Sequence, residues 1–146
     1  MKHAAKNAVK KESKRMNKML YVKEAQGTVE AAGKRLEDAV KAHKFGVIGV
    51  IDLKAKMAEK GVEFRNACKI YEVCNPMRAK QVLEKDMSIA TALPCRIAVY
   101  EEKNRVKIAT LLPTETLGLF SVLDLAPVAQ EVEKEIKAMM DEASEV

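Results

Sequence analysis

Histidine is scarce in this chain, with only His3 and His43 among 146 residues. His3 lies in a basic leader and His43 at the end of a predicted helix. Neither has a route to a cysteine that a nucleophilic triad would need, and together they make no paired-histidine metal motif. Cysteine is nearly as scarce and odd in number, at three, which argues against a disulfide framework and for reduced thiols. No apolar run is long enough to span a bilayer. The first eighteen residues lack the apolar centre and cleavage site of a secretory signal, so the expected location is the cytoplasm. There is no glycine-rich phosphate loop and no dinucleotide fingerprint. Asp52, Glu63, Asp86 and Glu101 are scattered, with no spacing that implies general acid–base work. No catalytic constellation is recognisable and no cofactor is indicated. Whether the chain is an enzyme stays open.

What is present is a folding composition. Hydrophobic residues make up 48% of the chain, enough for one domain with a real core at this length. The net charge of +5 is unevenly placed. Residues 1–18 carry Lys2, Lys6, Lys10, Lys11, Lys14, Arg15 and Lys18 against Glu12 alone, a net +6, which leaves residues 19–146 near −1. We therefore read residues 1–18 as a basic leader and 19–146 as a single α+β domain. Such a leader can contact phosphates, but it has no aromatic ring to stack on bases, so nucleic acid is a disfavoured partner.

Periodicity gives the order of elements. Met19–Lys23 reads as a strand, and Thr28 caps a helix whose buried stripe includes Val29, Ala32, Leu36 and Val40; Gly46 follows its stop. Phe45–Leu53 is a buried strand with Gly49 at a bulge or close contact. A short helix over Lys54–Lys60 and a strand over Cys68–Cys74 follow. Asn75 caps and Pro76 begins another short helix, and Asp86–Ala92 is a link. Cys95–Glu101 and Arg105–Leu112 form a hairpin around Glu102-Lys103-Asn104, a short helix runs through Phe120, and Asp124 caps a long last helix. The order β-α-β-β-β-β-α predicts an antiparallel-rich sheet covered on one face by two long helices, with two short helices inserted.

Alternation along the strands assigns faces. Taking the apolar sets as covered places Leu20, Val22, Cys68, Ile70, Glu72, Cys74, Cys95, Ile97, Val99, Val106 and Ile108 under the helices. The other face then collects Tyr21, Lys23, Lys69, Tyr71, Arg96, Tyr100, Arg105 and Lys107. That face reads as a dimer surface, a solvated face, a small-ligand platform or a nucleic-acid surface, in that order. Cys68 and Cys74 lie roughly 20 Å apart along one strand and cannot share an ion. Cys74 and Cys95 end facing strands, and antiparallel pairing would bring them together on the covered side. They are then small buried hydrophobes, a two-thiol redox or metal site, or, least favoured, a nucleophile. Glu72 beside them requires a partner or a raised pKa.

Several pieces together resemble the domain of unknown function 302 family: Tyr21-Val22-Lys23, Gly46-Val47, Glu72-Val73-Cys74-Asn75-Pro76, Leu93-Pro94-Cys95-Arg96 and Val99-Tyr100-Glu101. The resemblance spans about residues 19–143. It carries over Asn75, Pro76, Leu93, Pro94 and Arg96, and it is closest to a cysteine-containing branch, since many relatives differ at positions 74 and 95. It implies a TATA-binding-protein-like fold and a homodimer, and it implies no DNA binding. The expectation is a homodimeric domain that binds a small ligand at the Asn75-Pro76/Leu93-Pro94 junction through Glu72, Cys74, Asn75, Pro76, Cys95 and Arg96. The alternative is a thiol-redox or metal-handling protein whose ligands are Cys74 and Cys95.

Overall fold

The computed structural model describes residues 3–8 and 18–146. Residues 3–8 are helical and exposed; residues 1–2 and 9–17 of the basic leader, with Lys2, Lys10, Lys11, Lys14 and Arg15, lie outside the described residues. The domain runs β1 (Leu20–Ala25), α1 (Val29–Ala42), β2 (Gly46–Asp52), α2 (Leu53–Glu59), β3 (Cys68–Cys74), α3 (Pro76–Lys85), a 3-10 segment (Met87–Ala92), β4 (Cys95–Glu102), β5 (Arg105–Leu111), α4 (Pro113–Leu117) and α5 (Leu125–Ser144). The five strands form one sheet in the order β1-β5-β4-β3-β2, with every neighbouring pair antiparallel. The expected α+β order and the helix-covered sheet are thus present.

Local chemistry explains most boundaries. Thr28 accepts a hydrogen bond from the Ala31 N–H at 3.1 Å and starts α1. Asn75 accepts from the Met77 and Arg78 N–H groups at 3.0 and 3.3 Å, with Pro76 at the first helical position. The β4–β5 hairpin turns on Lys103 and Asn104, with φ of 53° and 62°, as a two-residue turn matched to strand twist requires. Two expected signals are displaced. Asp124 makes no capping bond because its φ is +65°, whereas a capping residue needs extended backbone to aim its carboxylate at the helix. The left-handed turn after α1 falls on Lys44, at φ 62°, and Gly46 instead opens β2.

Helices α1 and α5 pack on one face of the sheet. Leu36 and Val40 of α1 and Ile136, Met139 and Met140 of α5 meet Tyr71, Val73, Ile97, Val99 and Ile108 in a single core. A second, smaller cluster of Val82, Ile89, Leu117, Leu125 and Ala129 closes one end beneath α3, the 3-10 segment and α4.

This core corrects the face assignment in β1 and β3. Tyr71 and Val73, not Ile70 and Cys74, lie under the helices. Tyr71 faces Ile97 and Val73 faces Cys95 across the ladder. Lys69 shares their side by alternation, and Glu72 turns outward. In β1 the tyrosine and lysine are the inward residues. The Tyr21 hydroxyl donates to Asp141 of α5 at 2.5 Å, Lys23 pairs with the same carboxylate at 3.7 Å, and Lys137 lies 5.2 Å over the Tyr21 ring. The hydrogen bond to Asp141, aided by burial, pushes the Tyr21 phenol up to about 12. Leu20 and Val22 face outward. Strand β1 is a sheet edge, where inward side chains meet the flank of α5 and polar ends reach water. Arg96, Tyr100, Arg105 and Lys107 lie on the outer face, as expected.

Candidate functional site on the outer face of the sheet

Among the described residues both long helices lie on one side of the sheet, and the opposite side carries no long helix. A row of apolar residues in register crosses its full width: Ile51, Ile70, Ala98, Ala109 and Val22. Val22 is 44% exposed. Polar rows flank it. On one side Tyr100 pairs in register with Cys68 and Lys107, and Lys107 with Glu24. On the other, Glu72 lies between Gly49 and Arg96.

The smallness of Ala98 and Ala109, directly opposite one another, sinks the middle of this face. The 3-10 segment and α4 raise a wall at one end, through Ala92, Thr116, Leu119 and Phe120. The result is a groove of about 610 Å³. Its floor is Ile70, Ala98 and Ala109, and Pro94, Cys95 and Arg96 form part of its rim.

The β2 edge shapes the neighbouring polar row. The β2–β3 register shifts between Val47 and Gly49, so Ile48 is the extra residue of a bulge. A Cβ at Gly49 would lie 2.8 Å from Glu72 Oε1, and the missing side chain lets this carboxylate lie flat over the backbone. Glu72 is half-buried and faces Arg96, Nε to Oε2, at 3.8 Å.

The residues expected at one junction divide among three places. Cys74, Asn75 and Cys95 line a crevice of about 40 Å³ together with Phe45, Val73 and Leu93. That volume is close to the space of one water molecule. Asn75 spends its side-chain oxygen on the cap of α3, and Pro76 serves as the first residue of that helix. Arg96 belongs to the outer groove and Glu72 to the row beside it. Cys95 lines both cavities. The peptide bond before Pro94 is cis.

The pairing of Cys74 with Cys95 on the covered side also needs correction. Strands β3 and β4 are antiparallel neighbours, but the register sets Val73, not Cys74, opposite Cys95. Alternation turns Cys74 toward the side of Ile70 and Glu72 while Cys95 follows Ile97 inward, yet both residues border the same crevice and Cys74 lies near enough to act on the Cys95 thiol. All three cysteines are free thiols. Burial pushes the Cys95 thiol up to about 11, with the neighbouring Cys74 adding to the shift, and burial raises Cys68 as well. Such a thiol is a weak nucleophile because the thiolate is the reactive form. At pH 8 a thiol pushed up to about 11 carries about a hundredfold less thiolate than an ordinary cysteine. Alkylation by iodoacetamide at pH 8, followed by peptide mass mapping, is therefore expected to modify Cys95 at least about tenfold more slowly in the native protein than in urea. Equal rates would show that the thiol is neither buried nor raised. Among the described residues no group of three or more His, Cys, Asp or Glu side chains could hold a metal ion, and no helix is long and apolar enough to cross a membrane.

The family model for "Domain of unknown function DUF302" matches residues 21–143. The chain belongs to the DUF302 family. The crystal structure of the uncharacterized conserved protein DUF302 from Bacillus stearothermophilus superposes with a TM-score of 0.82 at 31% identity, over 86% of this chain and 98% of that one. No curated protein matches. The DUF302 match spans every strand but the first residue of β1, and so includes the whole groove floor.

Sequence reasoning missed Ile70, Ala98, Ala109, Leu111 and Phe120 as site residues. A signal existed for two of them. Alanine is depleted in strands, and one in the middle of each hairpin strand marks a place where the sheet surface is left low.

Proposed function

We propose that this DUF302 domain binds a small, largely apolar molecule in the outer-face groove and works as a homodimer whose second copy roofs that groove. The observation that carries the reading is the apolar row from Ile51 to Val22, exposed at Val22, half-buried at Ile51, Ile70 and Ala98 and lowest at Ala109, with the groove sunk into its centre. Covering apolar surface is favourable in proportion to area, and contiguous exposed apolar patches mark interaction sites. The charges support a second copy over a polyanion. Arg105 is hydrogen-bonded to Glu24 at 3.0 and 3.1 Å and Lys107 to Glu102 at 3.0 Å, while Arg96 faces Glu72. Three cations against three carboxylates leave this face neutral and self-compatible. Five strands about 4.8 Å apart and about 20 Å long present about 500 Å² per copy, so two copies reach the roughly 1,000 Å² that specific interfaces need.

Sedimentation and fluorescence test both halves of the reading. The wild type is expected to sediment as a dimer at about 100 µM, and Val22→Glu combined with Ile70→Glu as a monomer with unchanged circular dichroism, because like charges facing across a closed contact are costly. Nile red, a neutral apolar probe, is expected to brighten with the wild type and not with Ala98→Trp, which fills the groove floor. A wild type that stays monomeric sinks the dimer, and probe binding indifferent to Ala98→Trp sinks the groove.

A further inference from the structure

We infer that the groove takes an elongated monocarboxylate, its apolar chain along the floor and its anionic end at Arg96. The inference rests on the groove reading above and adds the ligand's chemical class. Arg96 is the one charged residue among those lining the groove. Its hydroxyl-bearing neighbours are committed elsewhere: Thr91 donates to the Ser88 carbonyl at 2.8 Å, Thr110 to the Arg96 carbonyl at 2.7 Å and Thr116 to the Pro113 carbonyl at 3.3 Å. Of the other lining residues, Arg96 carries a guanidinium and Tyr100 a phenol.

Of the three cations on the outer face, Arg105 and Lys107 are held by hydrogen-bonded carboxylates. Arg96 is not: its approach to Glu72 is 3.8 Å, beyond hydrogen-bond range, and its side chain is 62% exposed. A guanidinium offers five N–H donors in a planar fork that matches a carboxylate bidentately. Its contact with Glu72 is through Nε, on one side of the fork. Arg96 and Tyr100 lie four residues apart on the same face of β4, with Ala98 between them. That spacing is about 13 Å, which suits a chain of about ten carbons lying over Ala98 and Ala109. Glu72 stands beside Arg96 and disfavours a dianion, so one negative charge fits better than two.

Isothermal titration with decanoate, decanol and decyltrimethylammonium, each below its micellar concentration, tests the class. Decanoate is expected to bind the wild type at least tenfold more tightly than decanol, with the cation weakest. Arg96→Gln is expected to weaken decanoate at least tenfold and leave decanol unchanged. Ala98→Trp is expected to abolish both. Equal binding of decanoate and decanol, or a decanoate affinity unmoved by Arg96→Gln, overturns the carboxylate assignment while leaving the groove in place. Absence of binding by all three probes, or binding indifferent to Ala98→Trp, overturns the groove reading and this inference with it.

Discussion

Gly33→Ala is expected to lower stability by about 1–3 kcal/mol, although alanine is the better helix former by about 1 kcal/mol. Gly33 lies on the buried face of α1. A Cβ built there would approach Tyr71 Oη to 1.9 Å and Cζ to 2.8 Å. Neither contact can be tolerated, and Tyr71 has little room to retreat, since it is 3% exposed and packed among core residues. The helix or the ring must move, and in a close-packed interior such shifts are costly. At about 2–4 °C per kcal/mol for a chain of this size, the midpoint of thermal unfolding should fall by about 2–12 °C. Tyr71→Phe removes the Oη contact and leaves the 2.8 Å approach to Cζ, so it should relieve part of the cost, and a double-mutant cycle should show coupling between the two sites. Gly49 supplies the contrast. There the obstructing atom is the Oε1 of Glu72, the end of a side chain with solvent beside it, and Gly49→Ala should cost at most about 1 kcal/mol. A Gly33→Ala protein as stable as the wild type would mean that Tyr71 does not pack beneath α1.

That contact also explains where sequence reasoning succeeded and where it failed. Element order was legible because helical stripes such as Val29, Ala32, Leu36 and Val40 are unambiguous, and because Asn75-Pro76 and Lys103-Asn104 carry their own local geometry. The central strands β4 and β5 declared their faces, with Ile97, Val99 and Ile108 set against Arg96, Arg105 and Lys107. Strand β3 did not. Its two sets, Cys68-Ile70-Glu72-Cys74 and Lys69-Tyr71-Val73, are each partly apolar, and tyrosine suits either side of a sheet. What decides is a glycine almost forty residues upstream that makes room for the ring. Strand β1 misled for another reason: its inward tyrosine and lysine find Asp141 and Lys137 on a helix at the far end of the chain. The groove was least legible of all. Ala98 and Ala109 hinted at its floor, but its wall comes from the 3-10 segment and α4, which meet the sheet only in three dimensions. The junction residues marked a real structural corner, with Asn75 as a helix cap, Cys95 between two cavities and Arg96 at the outer groove.

Ile97→Ala and Ile70→Ala put the corrected faces to a direct test. The two isoleucines occupy adjacent strands and were expected on one face. Ile97 is fully buried, at 0% exposure, in the core between sheet and helices. Ile70 pairs with Ala98 on the floor of the open groove. Truncating a buried isoleucine removes its transfer free energy and leaves a cavity that the surroundings fill only in part, a loss of about 2–5 kcal/mol. Truncating a half-buried one at the floor of an open groove leaves no enclosed cavity and should cost about 1 kcal/mol. Urea unfolding should therefore show a large drop in midpoint for Ile97→Ala with an unchanged slope, and a small one for Ile70→Ala. The comparison belongs at the lowest protein concentration the measurement allows, because dilution favours the monomer by mass action. At high concentration a dimer on the outer face would add to the cost at Ile70 and not at Ile97, because mass action stabilises only the form that associates. An Ile70→Ala protein that loses as much as Ile97→Ala at every concentration would return Ile70 to the covered side, and the groove could not then be the site.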